Sequence, residues 1–168
     1  MRWSDGRLPD INECYLTGLR NQHAVEGQAV STIEAQLGRM TDYPELHAKM
    51  QQETESSKTQ ATRLETLLSR HGTSASATKE TVTSVVGRVS GLVHVTAPDE
   101  LVKNVLAAIG FKAYEIASYK ALLNMAEAAG AHDDVAVLKQ SQAEEMALGD
   151  WLGEHLPGFV TQFLQSSK

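Results

Sequence analysis

The sequence predicts an all-α protein, a four-helix bundle whose second and third helices are joined by a long crossover carrying a short extra helix. Three observations lead there. Four segments carry apolar residues in steps of three and four, the spacing that gathers side chains on one face of a helix. Each of these rows turns polar at mid-length and apolar again. The connection between the second and third rows, residues 72 to 97, is far too long for a helix hairpin and long enough to carry the chain from one end of a bundle to the other.

The first helix is expected over about 11 to 39, opened by Asp10 with Glu13 as a capping box after Pro9. Its row reads Leu16, Leu19, His23, Glu26, Val30, Ile33, Leu37. The second is expected over about 43 to 71, opened by Asp42 with Glu45, and reads Leu46, Met50, Glu53, Ser57, Gln60, Leu64, Leu67. A Ser/Thr/Ala-rich stretch from Gly72 to Thr78 follows, and then Val82, Val85, Val86, Val89, Leu92 and Val93 at helical spacing form the extra helix. Within it, Gly87 and Gly91 read as a close-packing pair, since Arg88 and His94 make a membrane dimerisation motif inappropriate.

Pro98, Asp99 and Glu100 open the third long helix, which Gly130 closes; its row is Leu101, Val105, Ala108, Lys112, Glu115, Tyr119, Leu122, Ala126. The fourth begins near Asp133 and Asp134 and is expected to stop before Pro157 and Gly158, with Phe159 to Leu164 folding back on the bundle. Its row is Leu138, Ser141, Glu145, Leu148, Leu152, with Glu144 on a neighbouring row through Val137, Leu148 and Trp151. Either Glu144 or Glu145 can face the core on this pattern.

Composition narrows the function classes. With 168 residues and a 42% hydrophobic fraction, the chain suits a single domain, 1–168, with a real core. A net charge of −6 with scattered Lys and Arg disfavours nucleic acid as a partner. No apolar run approaches the ~20 residues of a membrane span, and the first residues lack the order of a signal peptide, so no membrane role and a cytoplasmic location are expected. The single cysteine, Cys14, forms no internal disulfide and is read as a packing residue. No phosphate loop, nucleophile elbow or dinucleotide fingerprint occurs.

The chemistry resides in the polar waists. An unpaired buried carboxylate is destabilised by several kcal/mol, so each needs a partner, a proton or a cation. Four acidic positions at matching depth, Glu26, Glu53, Glu115 and one of Glu144 or Glu145, resemble in type the carboxylate sets that hold two iron or manganese ions inside helical bundles. His23, one turn before Glu26, is a possible additional ligand. Against metal stands Lys112, one turn before Glu115 on the same row; if its ammonium pairs with Glu115 or Glu26, a fixed charge replaces a metal. Ser56, Ser57 and Gln60 near Glu53 are hydrogen-bond partners and poor iron ligands.

Leu19-Arg20-Asn21-Gln22-His23-Ala24-Val25-Glu26, Tyr43-Pro44-Glu45-Leu46, Gln60-Ala61-Thr62-Arg63-Leu64-Glu65, Tyr114-Glu115-Ile116-Ala117-Ser118-Tyr119 and Glu144-Glu145 before Asp150-Trp151-Leu152 together resemble the YciF/YciE-like branch of the ferritin-like superfamily. The resemblance runs from about residue 10 to 157. It implies a ferritin-like bundle, commonly a homodimer, linked to stress responses, with Glu26, Glu115 and Glu144 or Glu145 at the family's acidic positions and Glu53 as a substitute. It also marks two departures. The family's second helix reads His-x-x-Glu-Thr where this chain has Glu53, Ser56 and Ser57, and its third helix carries a second acidic residue where this chain has Lys112. The expectation is a stress-associated structural or interaction protein with a degenerate carboxylate site, rather than an enzyme. Its alternative is an iron- or manganese-binding oxidoreductase or storage protein.

Overall fold

In the computed structural model, which describes residues 10–76 and 100–166, four long helices pack as two antiparallel hairpins. Helix α1 spans Ile11–Leu37, α2 Pro44–Arg70, α3 Glu100–Ala128 and α4 Val135–Ser166, with a single 3-10 turn, His132–Asp134, leading into α4. The extra helix expected at 82–93, with its Gly87/Gly91 pair, lies outside the described residues.

The helix ends follow their capping chemistry. The Asp10 side chain accepts from the Asn12 amide at 3.4 Å and starts α1. The expected box of Asp42 with Glu45 does not form: Tyr43 is the N-cap, without a side-chain cap bond, because Pro44 supplies a preset φ at the first helical position and starts the helix there. Gly72 at φ 69° and Gly130 at φ 73° close α2 and α3 in the left-handed region that side chains resist. After them, Thr73 N–H donates to Leu68 C=O at 3.1 Å and Ala131 N–H to Ala126 C=O at 2.8 Å, using carbonyls the helices would leave orphaned.

Two apolar clusters form the core, one toward each end. Tyr15, Leu19, Leu64, Leu67, Leu68, Tyr119, Leu122, Ala126 and Leu138 make the first; Met40, Leu46, Met50, Val105, Leu148, Leu152 and Phe159 make the second. Sequence order between the clusters gives the topology: α2 and α3 both run from the second cluster to the first, while α1 and α4 run the other way. Parallel α2 and α3 require the long crossover, so the connection is that of a ferritin-like bundle. Each fully buried Leu in these clusters contributes about 1.5–3 kcal/mol.

Three of the four rows are placed as the spacing predicts. All seven named positions of the α2 row and all five of the Leu138 to Leu152 row are buried. On α3, Val105, Lys112, Glu115, Tyr119, Leu122 and Ala126 are buried, while Leu101 and Ala108 are half-buried. Helix α1 is rotated from its expected face: Tyr15, Leu19, Gln22, Val25, Glu26 and Ala29 are buried, whereas Leu16, His23, Val30, Ile33 and Leu37 flank them. The tail also differs. Pro157 lies inside α4, which continues to Ser166, and Phe159 reaches the second cluster within 6 Å of the Trp151 ring centroid. Burying Phe159 offsets the hydrogen bond that proline removes on the exposed side of the helix.

Candidate functional site

Between the apolar clusters the waist is built from Gln22 and Glu26 of α1, Glu53, Ser57 and Gln60 of α2, Lys112, Glu115 and Tyr119 of α3, and Ser141 and Glu145 of α4, all at most 6% exposed. Lys112 lies at its centre. Its Nζ is 2.5 Å from Glu115 Oε2 and 2.6 Å from Glu145 Oε2, and it donates to Glu53 Oε1. The ammonium thus donates hydrogen bonds to Glu53 and Glu145 and forms an ion pair with Glu115, three carboxylates from three helices. Burial acts against its charge, but Glu115, Glu145 and Glu53 together hold its pKa well above that of an ordinary lysine.

Glu26 takes its partners elsewhere. Its Oε1 accepts from Tyr119 Oη at 2.7 Å and Gln22 Nε2 at 2.9 Å, and Ser118 Oγ donates in turn to Gln22 Oε1 at 2.5 Å. Burial and the neighbouring Glu145 charge push the Glu26 pKa up to about 7, against the opposing pull of Gln22, Tyr119 and Lys112. Burial likewise raises Glu53, and raises Glu115 well above the carboxylate range, with Lys112 only partly offsetting it. Burial and the proximity of Glu26 raise the Tyr119 phenol too, so it stays a hydrogen-bond donor. With four carboxylates around one ammonium, full ionisation would leave a surplus of three negative charges.

Glu26, Glu115 and Glu145 each offer an oxygen such that all three lie within 4.8 Å of one another. Glu26 and Glu145 each turn one oxygen to a protein donor and leave the other, Glu26 Oε2 and Glu145 Oε1, without a hydrogen bond, while neither Glu115 oxygen has one and its Oε2 is held by the ion pair with Lys112. Three buried carboxylates so arranged could hold a metal. Oxygen–metal bonds of about 2.1–2.5 Å place opposed ligands about 4–5 Å apart, which is the span available for one ion. A second ion, about 3.5–4 Å from the first in two-metal sites, would compete with the Lys112 ammonium for Glu53, Glu115 and Glu145.

The structure separates the candidates named from the sequence. Glu26, Glu115 and Glu145 converge, and Glu53 joins through Lys112. Glu144 does not face the core: Arg63 grips it through both oxygens, Nη1 at 2.6 Å and Nη2 at 2.9 Å, with Gln60 and Gln140 assisting. Partial burial opposes these donors, yet they hold its pKa below the usual range. His23 lies off the waist because α1 is rotated, and its Nε2 is 2.9 Å from Glu65 on the half-exposed side. Ser56 is half-buried beside the waist.

A second polar cluster, not singled out by spacing, ties the opposite end of the bundle. Buried Asp134 accepts from Tyr15 Oη at 2.9 Å, lies 2.7 Å from His71 Nε2 and pairs with Arg70 at 3.4 Å. Burial and the adjoining Asp134 hold the Tyr15 phenol protonated. The available signal was the tyrosine at a core position, since a buried hydroxyl needs a partner. Beside the waist, a cavity of about 60 Å³ lined from all four helices runs along Met50, Val105 and Leu148 to Glu53 and Lys112.

The family described as Domain of unknown function (DUF892) matches residues 10–165. A protein of Xanthomonas campestris pv. campestris is similar in structure at a TM-score of 0.78, with 26% identity over 94% of this chain and 99% of its own. The E. coli stress protein YciF superposes with a TM-score of 0.76 and 21% identity over 92% and 99% of the two chains. YcfI of Rhodopseudomonas palustris does so at 0.74 and 21% over 90% and 98%. The last two likenesses show the shared fold.

Proposed function

The chain belongs to the DUF892 family, and from that premise we propose that it is a YciF-type, stress-associated structural or interaction protein whose ancestral two-metal waist has become an internal ion network. The observation that carries this reading is the Lys112 ammonium among Glu53, Glu115 and Glu145. It supplies, without a cofactor, part of the positive charge that a metal pair would bring. It also takes carboxylate oxygens that a second metal would need. An iron or manganese oxidoreductase would require Lys112 to withdraw, which would leave its charge buried and unpaired in an apolar surrounding. The protein acts as a homodimer in the cytoplasm; exposed Leu106, Tyr114 and Met146 support a subunit contact.

The test is to strip the full chain with chelator, confirm its fold by circular dichroism, and add ferrous iron in air. Iron oxidation at the rate of buffer, with cooperative melting of the stripped protein, is expected. Catalysed oxidation, or collapse of the fold on chelation, overturns the reading. Light scattering checks the dimer.

A further inference from the structure

We propose that the cavity beside the waist binds one slim cationic amphiphile, a primary alkylammonium, with its head on Glu53 and its unbranched chain along Met50, Val105 and Leu148. Two independent observations carry the inference, the lining of the cavity and the sign of the charge at its waist end. Of the apolar walls, Leu46, Met50, Val105, Leu148 and Leu152 are each at most 3% exposed. Every lining residue from α2 and α4 is buried, whereas Gln28, Thr32 and Gln36 of α1 and Asn104 of α3 are half-buried, so the cavity opens between α1 and α3. Its lining extends from Leu46 to Glu53 on α2 and from Val105 to Lys112 on α3, about 10 Å of helix axis in each case.

Size and charge select the ligand. The enclosed volume of about 60 Å³ is well under the roughly 150 Å³ that admits benzene, so it takes an unbranched chain and not a ring. Apolar walls offer water few hydrogen bonds, and a chain laid along them restores the dispersion contacts that an empty space forfeits. At the waist end, Glu26, Glu115 and Glu145 are 0% exposed, whereas Glu53 is 6% exposed and lines the cavity. Glu53 is therefore the carboxylate that an entering molecule meets. Four carboxylates around one ammonium leave an excess of negative charge, which attracts a cationic head and repels a carboxylate. Lys112 lines the cavity too, but its ammonium is committed to Glu53, Glu115 and Glu145, so it does not serve an anionic head. The rim residues Gln28, Thr32, Gln36 and Asn104 are neutral, and the charge that is recognised is that of Glu53.

The experiment titrates the full chain, labelled at its methionine methyls, with n-hexylammonium in chelator and follows the methyl resonances. Met40 and Met50 line the cavity, whereas Met125 and Met146 are exposed outside it. Saturable shifts confined to Met40 and Met50, at one ligand per chain, are expected. Hexanol should bind at least tenfold more weakly and hexanoate should give no shift. Butylammonium, shorter by two methylenes, should bind roughly tenfold more weakly than hexylammonium. Glu53→Gln should cost at least tenfold and make amine and alcohol alike, Ala108→Leu should fill the cavity and abolish binding, and Glu144→Gln should change nothing. If Glu53→Gln does not fold, the contrast between amine and alcohol in wild type, with Ala108→Leu, decides. Equal binding of hexylammonium and hexanol by wild type, shifts at Met125 and Met146 as large as those at Met40 and Met50, or retained binding in Ala108→Leu overturns the inference. Chelator is present throughout and no iron chemistry is read, so this site and the proposed function fail separately.

Discussion

Glu26→Gln isolates the electrostatic strain of the waist. The side chain is fully buried and its pKa is raised from the ordinary 4.5 to about 7. A raised carboxyl pKa means that the folded state binds its proton more tightly than the unfolded chain, so this group's contribution is most favourable below pH 4.5 and is lost as pH rises to about 7. The 2.5-unit difference, at 1.36 kcal/mol per unit, makes ionised Glu26 a destabilisation of about 3 kcal/mol above neutrality. Glutamine keeps an oxygen to accept from Tyr119 and Gln22 but cannot ionise. Urea unfolding of both proteins in chelator, from about pH 5 to about pH 8, should give similar stability at the acid end. At the alkaline end the variant should be more stable by about 3 kcal/mol. A wild type more stable at pH 8 than at pH 5 relative to the variant, or a variant weaker than wild type at pH 8, would refute the reasoning.

Lys112→Met removes the ammonium and leaves three contacting carboxylates uncompensated, so chelator-treated protein should lose about 3–5 kcal/mol at pH 8 and distinctly less at pH 5, where carboxylates take up protons; pH-resolved denaturation checks it. Two glycines in helix interiors should respond oppositely to alanine. At Gly18 an added Cβ would lie 2.8 Å from Leu122 Cδ2 and 3.3 Å from Met125 Sδ, and melting should show a loss of about 1–3 kcal/mol. At Gly110 it would meet nothing within 4 Å, and the same substitution should gain about 0.5–1 kcal/mol from helix propensity.

What could be read from sequence depended on what each row contained. In α2, α3 and α4 the buried positions include nearly all of the row that a spacing argument selects, its polar Ser57, Gln60 and Ser141 among them. In α1 the true face is Tyr15, Leu19, Gln22, Glu26 and Ala29, which shares only Leu19 and Glu26 with the more apolar register. Tyr15 and Gln22 can be buried because Asp134, Glu26 and Ser118 satisfy their polar atoms, and two of those partners, Asp134 and Ser118, come from the other hairpin. The same applies to α4: Arg63 and Gln60 on α2 hold Glu144 outward, and Lys112 on α3 holds Glu145 inward. The waist's level and its acidic character were legible, whereas the joining of Lys112 to Glu53 and Glu145 required the assembled bundle. The continuation of α4 through Pro157 depended on the burial of Phe159, which local breaker signals do not report.

The distribution of charge between hairpins adds a reason for the waist to persist in the fold. The α3/α4 hairpin contains Lys112, Glu115 and Glu145, so the ammonium can be paired as soon as that hairpin closes. The α1/α2 hairpin contributes Glu26 and Glu53 without a cation at the same level. Docking the hairpins buries those two carboxylates and is favourable only in the register that brings Glu53 to Lys112 and Glu26 to Tyr119. A shift of one helical turn, about 5.4 Å along the axis, would bury both acids against the apolar clusters instead. Apolar rows with three-and-four spacing tolerate such a shift, since leucine meets leucine again one turn on. The polar waist does not tolerate it, and it therefore fixes the axial register of the two hairpins even though the same network leaves ionised carboxylates strained.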